Sequence, residues 1–174
     1  SLLADIWVPY LIRWDPGDLL WLLQDDDFAG KYMDERFIPG CLKRTPGIPE
    51  LLAHGGRFAL QRHQILLPLM SAMIGGLNEN NVQALSKRYL IIDEAWLSGR
   101  SGLISQAKAR TTAYPWNSKT LIISQAGETG DDFDLEWQAS DQRHLHFRCP
   151  RSESGRSIDF EGALELGEPQ PPAG

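Results

Sequence analysis

A chain of 174 residues, 42% hydrophobic and 23% charged, is long enough for one domain with a sizeable core and has an ordinary globular composition. Its formal net charge of −6 argues against generic coating of nucleic acid, while leaving room for a local basic patch that touches DNA. No stretch approaches the roughly 18 consecutive apolar residues of a membrane span, and Ser1 to Tyr10 lack the basic n-region and cleavage site of a secretory signal, so the expected address is cytoplasmic, away from membranes.

Cys41 and Cys149 lie far apart and are expected to be free thiols in such a compartment. The chain starts without methionine inside what reads as a helix, as a fragment would. That first helix, with Leu2, Leu3, Ile6, Tyr10 and Leu11 at helical spacing, should end near Arg13, before the stop Asp15-Pro16-Gly17. Leu19 to Leu23 is an apolar run of the length of a buried parallel strand. Asp25 to Lys43 reads as a helix with Phe28, Tyr32, Arg36 and Phe37 on one face. The acids Asp25, Asp26 and Asp27 sit at its positive end, and Pro39 marks a break or kink. A turn over Thr45 to Pro49 and a short helix over Glu50 to His54 come next. Arg57 to Leu77 should form strands, interrupted at Pro68, with Gly75-Gly76 as a hairpin turn. Asn78 to Ser86 suits a short helix.

The run Tyr89-Leu90-Ile91-Ile92 ends in Asp93-Glu94. An apolar strand that delivers two carboxylates to its C-terminal end places them where open α/β sheets bind ligands. An Asp there can hold Mg²⁺, usually through water, and the neighbouring carboxylate can orient or deprotonate an attacking water. Asp93 is the candidate metal residue and Glu94 the candidate base, although acid pairs also end ordinary strands. Ser101 to Tyr114 reads as a helix with Leu103, Ala107, Thr111 and Tyr114 on one face. A second strand, Thr120 to Ile123, ends in the polar pair Ser124-Gln125. A helix over Phe133 to Ser140 and an edge strand over His144 to Phe147 follow. From Arg151 the composition is that of a mobile tail. Strands separated by helices predict an α/β domain with a mostly parallel sheet flanked by helices. Trp7, Trp14, Trp21 and Trp96 stand in or beside apolar segments and read as core. Lys31, Arg36, Lys43 and Arg44 read as solvated helix charge rather than a DNA-binding face. Asp131, Asp132 and Asp134 read as helix-start acids.

The ordered set of Trp14-Asp15-Pro16-Gly17, Asp27-Phe28-Ala29, Arg36-Phe37-Ile38-Pro39, Arg88 to Glu94, a helix with Arg110, Ser124-Gln125, Ser140 to Arg143 and Cys149-Pro150 resembles a known family. It is similar to the ATPase domain of the large subunit of lambda-like phage DNA-packaging terminases, over roughly residues 1–150, with 151–174 as the tail. The resemblance implies a P-loop NTPase-like core, ATP and Mg²⁺ as cofactors, and a motor that drives double-stranded DNA into a procapsid. Its implied partners are the terminase small subunit, the portal and further copies of itself. Asp93 then matches the Walker B aspartate and Glu94 the catalytic glutamate. Ser124 and Gln125 match the coupling motif that senses the γ-phosphate. Arg110 matches a recurrent arginine, read either as a phosphate sensor or as a partner in an internal salt bridge.

Two departures qualify the likeness. The family's phosphate-binding loop, ending in Gly-Lys-Ser/Thr, occurs nowhere in the chain, so the core is expected to lack its N-terminal P-loop unit and to be inactive alone. Ser152 stands where relatives carry a second cysteine, so Cys149 with His144 and His146 is an incomplete zinc set. The separate nuclease domain that the resemblance implies, with its cluster of metal-binding acids, is likewise not expected within these residues. Alternative readings from other classes are a non-catalytic prophage remnant that binds nucleic acid or procapsid, and a helicase-like P-loop ATPase.

Overall fold

A computed structural model describes residues 2–83 and 86–143, together with the backbone of 146–148 and 157–159. The chain divides into two compact units, Ser1–Leu135 and Glu136–Gly174. In chain order the elements are α1 (Leu2–Trp14), β1 (Leu19–Leu23), α2 (Asp26–Lys31), a π-helical turn (Tyr32–Phe37), α3 (Ile38–Gly40), α4 (Ile48–Gly55), β2 (Leu60–Gln61), β3 (Gln64–Leu67), β4 (Met70–Gly76), α5 (Glu79–Val82), β5 (Tyr89–Asp93), α6 (Leu103–Lys108), β6 (Lys119–Ile123), α7 (Asp132–Ala139), β7 (His146–Arg148) and β8 (Ser157–Asp159). None of the described helices is long and apolar enough to cross a membrane.

The first unit is built on a six-stranded sheet in the order β2-β3-β4-β1-β5-β6. The strands β4, β1, β5 and β6 run parallel, and β3 is antiparallel to both β4 and β2. This is the mostly parallel, helix-flanked sheet expected from the sequence. All five residues of β1 and of β5 are buried, as apolar runs covered on both faces must be. Their alternation sorts the core into two layers. Leu19, Trp21, Leu23, Tyr89 and Ile91 face α1, α4 and the π-helical turn, whereas Leu20, Leu22, Leu90 and Ile92 face α5 and α6 through Val82, Ile104 and Ala107.

Asp25 caps α2 by accepting the Phe28 N–H at 2.7 Å, so the acid run does mark a helix start. The helix does not continue with ordinary winding. Through the π-helical turn the Ile38 N–H reaches the Met33 carbonyl, five residues back, and this brings Tyr32 and Phe37 together onto Trp21 at ring-centroid distances of 5.6 and 5.0 Å. The helical segment then breaks at Cys41, two residues past Pro39. In α1, Pro9 has no N–H to donate to the Asp5 carbonyl four residues back, and the Cys41 thiol supplies that bond at 2.9 Å. Cys41 is a free thiol whose pKa is raised by burial and by the nearby Asp5 carboxylate.

Several local expectations are corrected. Gly75-Gly76 is not a hairpin turn; it ends β4, in parallel register with Leu22 and Leu23. Its glycines serve close approach, because a Cβ on Gly76 would lie 2.6 Å from the Asp26 backbone nitrogen. The expected interruption at Pro68 does hold, since it falls in the turn between β3 and β4. The helix after β5 is short, passing into a 3₁₀ turn at Ala109–Thr111. Trp14 is 69% exposed rather than core. In the second unit β7 and β8 form an antiparallel pair, and β8 lies in the stretch read as tail. The side chains of the incomplete zinc set, Cys149 with His144 and His146, and of Ser152, which breaks it, lie outside the described residues.

At the opposite end of the sheet from the acids, Asp15 accepts from Arg88 at 2.7 Å and from Lys119 at 3.3 Å, which fastens the Trp14-Asp15-Pro16-Gly17 turn to the starts of β5 and β6. Arg88 also donates to the Pro16 carbonyl and stacks over Tyr89.

Candidate functional site at the sheet crest

The alternation of β5 sends Asp93 toward the same face as Tyr89 and Ile91, and it is 5% exposed. Asp93 pairs in register with Ile123, so Ser124 leaves β6 directly beside the acids. The connection is made by hydrogen bonds. The Trp96 backbone N–H donates to Ser124 Oγ at 2.9 Å, and the Ser124 hydroxyl donates to the Gln125 carbonyl at 2.7 Å. The structure thus gathers Asp93, Glu94, Ser124 and Gln125 at the C-terminal ends of two neighbouring parallel strands.

Glu94 is a non-glycine residue in the left-handed region, at φ 57° and ψ 45°. That conformation costs about 1–2 kcal/mol for an L-residue, and such strain is retained where surrounding bonds over-determine it. Here the Glu94 N–H donates to Asp93 Oδ1 at 3.2 Å, the Leu97 N–H to the Glu94 carbonyl at 3.0 Å, and the Trp96 indole N–H to Glu94 Oε2 at 2.8 Å. The chain bends sharply enough to lift the Glu94 carboxylate away from the buried Asp93. Two adjacent acids therefore receive different surroundings, one buried and one exposed.

Tyr32 lies on the Asp93 side of the sheet. Its hydroxyl donates to Asp5 at 2.5 Å, and its pKa is pushed far up by burial first, then by Asp5 and, more weakly, by the Asp93 charge. Arg36 reaches Asp5 at 3.6 Å, so this member of the basic helix face is spent within the fold. Beyond Trp96 opens a cleft of about 670 Å³, lined by Trp96, Leu97, Arg100, Gly127, Glu128 and Asp131 among others. Asp131 is committed to structure: its two carboxylate oxygens accept from the Asp134 and Glu128 N–H groups at 2.7 and 2.9 Å, in keeping with a helix-start role.

Arg110 stands elsewhere. Its carbonyl accepts from the Lys87 N–H, which precedes β5, while Asp93 ends that strand. At about 3.3 Å per residue the two ends are roughly 20 Å apart, so Arg110 and the acids occupy opposite edges of the sheet. Its Nε is buried without a hydrogen-bond partner among the described residues.

Among the described residues no group of three or more His, Cys, Asp or Glu side chains is placed to hold a metal ion. The oxygens at the crest are nevertheless of the hard kind that Mg²⁺ takes, and Mg²⁺ in phosphate chemistry uses one or two carboxylates with water and phosphate completing its shell. A single aspartate, with water and phosphate as the remaining ligands, fits that donor set.

The neighbouring turns are locked by Asp26, whose carboxylate accepts from the Gly76 N–H at 2.7 Å, Asn81 Nδ2 at 2.8 Å and Asn78 Nδ2 at 3.0 Å. Sequence reading took Asp26 only for a dipole acid; the asparagines beyond the glycine pair were the available signal. The Gly76 N–H chiefly, with the two amides, holds the Asp26 pKa below its ordinary 3.8 against an opposing desolvation. A depressed folded-state pKa stabilises above the ordinary value and is lost as pH falls through the folded one. Asp26→Asn is therefore expected to narrow the stability loss on acidification below about pH 4; urea midpoints at pH 7 and pH 3 that fall in parallel for both proteins would refute it. Ser124→Ala is expected to cost about 1 kcal/mol by orphaning the Trp96 N–H, read as a shift in urea midpoint at constant slope; an unchanged midpoint would show that water replaces the hydroxyl.

With this geometry in place, comparison with known families is informative. Residues 1–170 match the model of the phage terminase large subunit gpA, ATPase domain. No curated protein and no solved structure matches the chain.

Proposed function

Because the chain belongs to the phage terminase large subunit gpA ATPase-domain family, we propose that it forms part of an ATP-driven motor that packages double-stranded DNA into procapsids. The observation that carries this reading is the meeting of Asp93, Glu94 and Ser124 at the tips of two adjacent parallel strands. Asp93, buried and oxygen-donating, would support Mg²⁺, which supplies charge neutralisation at the phosphates. Glu94, raised clear of it, would orient and deprotonate the attacking water. Ser124 and Gln125, bonded through Trp96 to the acid turn, would report the state of the γ-phosphate to the rest of the domain. Arg110 is assigned to the fold rather than to phosphate sensing within the same copy.

The triphosphate grip itself is assigned to a P-loop outside these 174 residues, since they contain no Gly-Lys-Ser or Gly-Lys-Thr. Two features support a further unit at that position. The strand β6 pairs only with β5 among the described residues, and beside it α1 exposes Leu3, Ile6 and Tyr10 over an apolar groove of about 410 Å³. We read this surface as the seat of the segment that carries the loop. The working motor would operate in the host cytoplasm as a homo-oligomer at the portal, with the small subunit delivering DNA.

The test is ATP hydrolysis by the full-length gene product with and without linear double-stranded DNA. Turnover that rises with DNA is the expected result. No turnover in either condition would favour the non-catalytic remnant and overturn the motor.

A further inference from the structure

We propose that Trp96 is a positioning residue for Glu94, holding its carboxylate through the indole N–H so that one oxygen remains turned out to receive a proton. The proposal rests on the reading of Glu94 as the base. Three contacts carry it. The indole Nε1 donates to Glu94 Oε2 at 2.8 Å, a charge-assisted bond between residues only two apart. The Trp96 backbone is itself fixed, by its N–H on Ser124 Oγ at 2.9 Å, so the indole is anchored to the tip of β6 and not merely to its own turn. The left-handed backbone at Glu94, φ 57°, aims the carboxylate at the ring, where the usual extended or helical conformations would send it elsewhere.

The arrangement is economical. A glutamate on an exposed turn samples several rotamers, and a base that wanders is a poor one. One donor on one oxygen removes that freedom and leaves Oε1 without a protein donor among the described residues. The ring cannot stack fully into the core, because it also walls the cleft of about 670 Å³ beside the acids. Its position is better explained by what its N–H holds than by the area it buries.

Two measurements test this. In the ¹⁵N-labelled 174-residue chain, six tryptophans give six indole N–H resonances. The one removed by Trp96→Phe should move upfield in Glu94→Ala while the other five stay, as expected for loss of a carboxylate acceptor. In the full-length gene product, Trp96→Phe, which keeps a ring and removes the donor, should lower kcat about tenfold with KM for ATP within about twofold. Trp116→Phe, at a 96% exposed ring, should leave both at the parental values. An indole resonance unmoved by Glu94→Ala, or a parental kcat in Trp96→Phe, would overturn the role of Trp96 alone. Full turnover in Glu94→Gln would remove the base and the positioning role together.

Discussion

Replacing Glu94 by Gln in the full-length gene product is expected to lower ATP turnover by roughly 10²–10⁴-fold, the range that a positioned general base contributes, while ATP binding persists. The amide is the right probe because it matches the carboxylate in size and keeps an oxygen for the Trp96 indole N–H, so the strained turn at Glu94 stays in place. What it loses is the ability to take a proton. Phosphate release gives kcat, and equilibrium titration with a fluorescent ATP analogue gives affinity; together they separate chemistry from binding. Asp93→Asn should behave differently, by raising the Mg²⁺ concentration needed for half-maximal turnover. Undiminished kcat in Glu94→Gln would end the assignment of the base, and a parallel collapse of ATP affinity would show that the residue grips nucleotide instead.

The second large effect concerns the platform that carries the site. Trp21 lies in the strand between β4 and β5, is fully buried, and is clasped edge-on by Tyr32 and Phe37. Trp21→Ala would leave a cavity that three elements cannot jointly collapse, and about 3–5 kcal/mol of stability should be lost. Against a typical total of about 5–15 kcal/mol, this is close to unfolding. Trp21→Phe should be far milder, because the indole Nε1 is buried without a hydrogen-bond partner among the described residues and its removal relieves a cost of roughly 1–3 kcal/mol. Urea denaturation of the two variants provides the check. Loss of less than about 1 kcal/mol in Trp21→Ala would mean that the π-helical turn closes over the gap.

The legible parts of the chain were those in which one physical cause leaves one pattern. Leu19–Leu23 and Tyr89–Asp93 are apolar runs of strand length, and both emerge as strands buried on each face. The crest was legible for a related reason: polar residues that end apolar runs in parallel strands are carried to one edge. Gly75-Gly76 was misread because two causes share one residue type. Glycine marks a turn and equally a place where another backbone passes, and here Asp25 and Asp26 pass close by. Arg110 lies between β5 and β6, where the sequence put it, but spacing alone does not say how far along the strands that segment has descended. Trp96 was read by its ring, whereas the information lay in its N–H, two residues after an acid pair.

The wide turn over Tyr32–Phe37 holds one more residue than ordinary winding would need to bring its ends together on Trp21. Deleting one residue from its exposed side, Asp34 or Glu35, would turn the five-residue step between Tyr32 and Phe37 into the four-residue step of ordinary winding, which restores standard helical hydrogen bonding and still leaves both rings on the face toward Trp21. The stretch therefore behaves as an insertion that the fold has absorbed by widening one turn: point changes at the exposed Asp34 or Glu35 should be tolerated, and so should removal of one of these two codons.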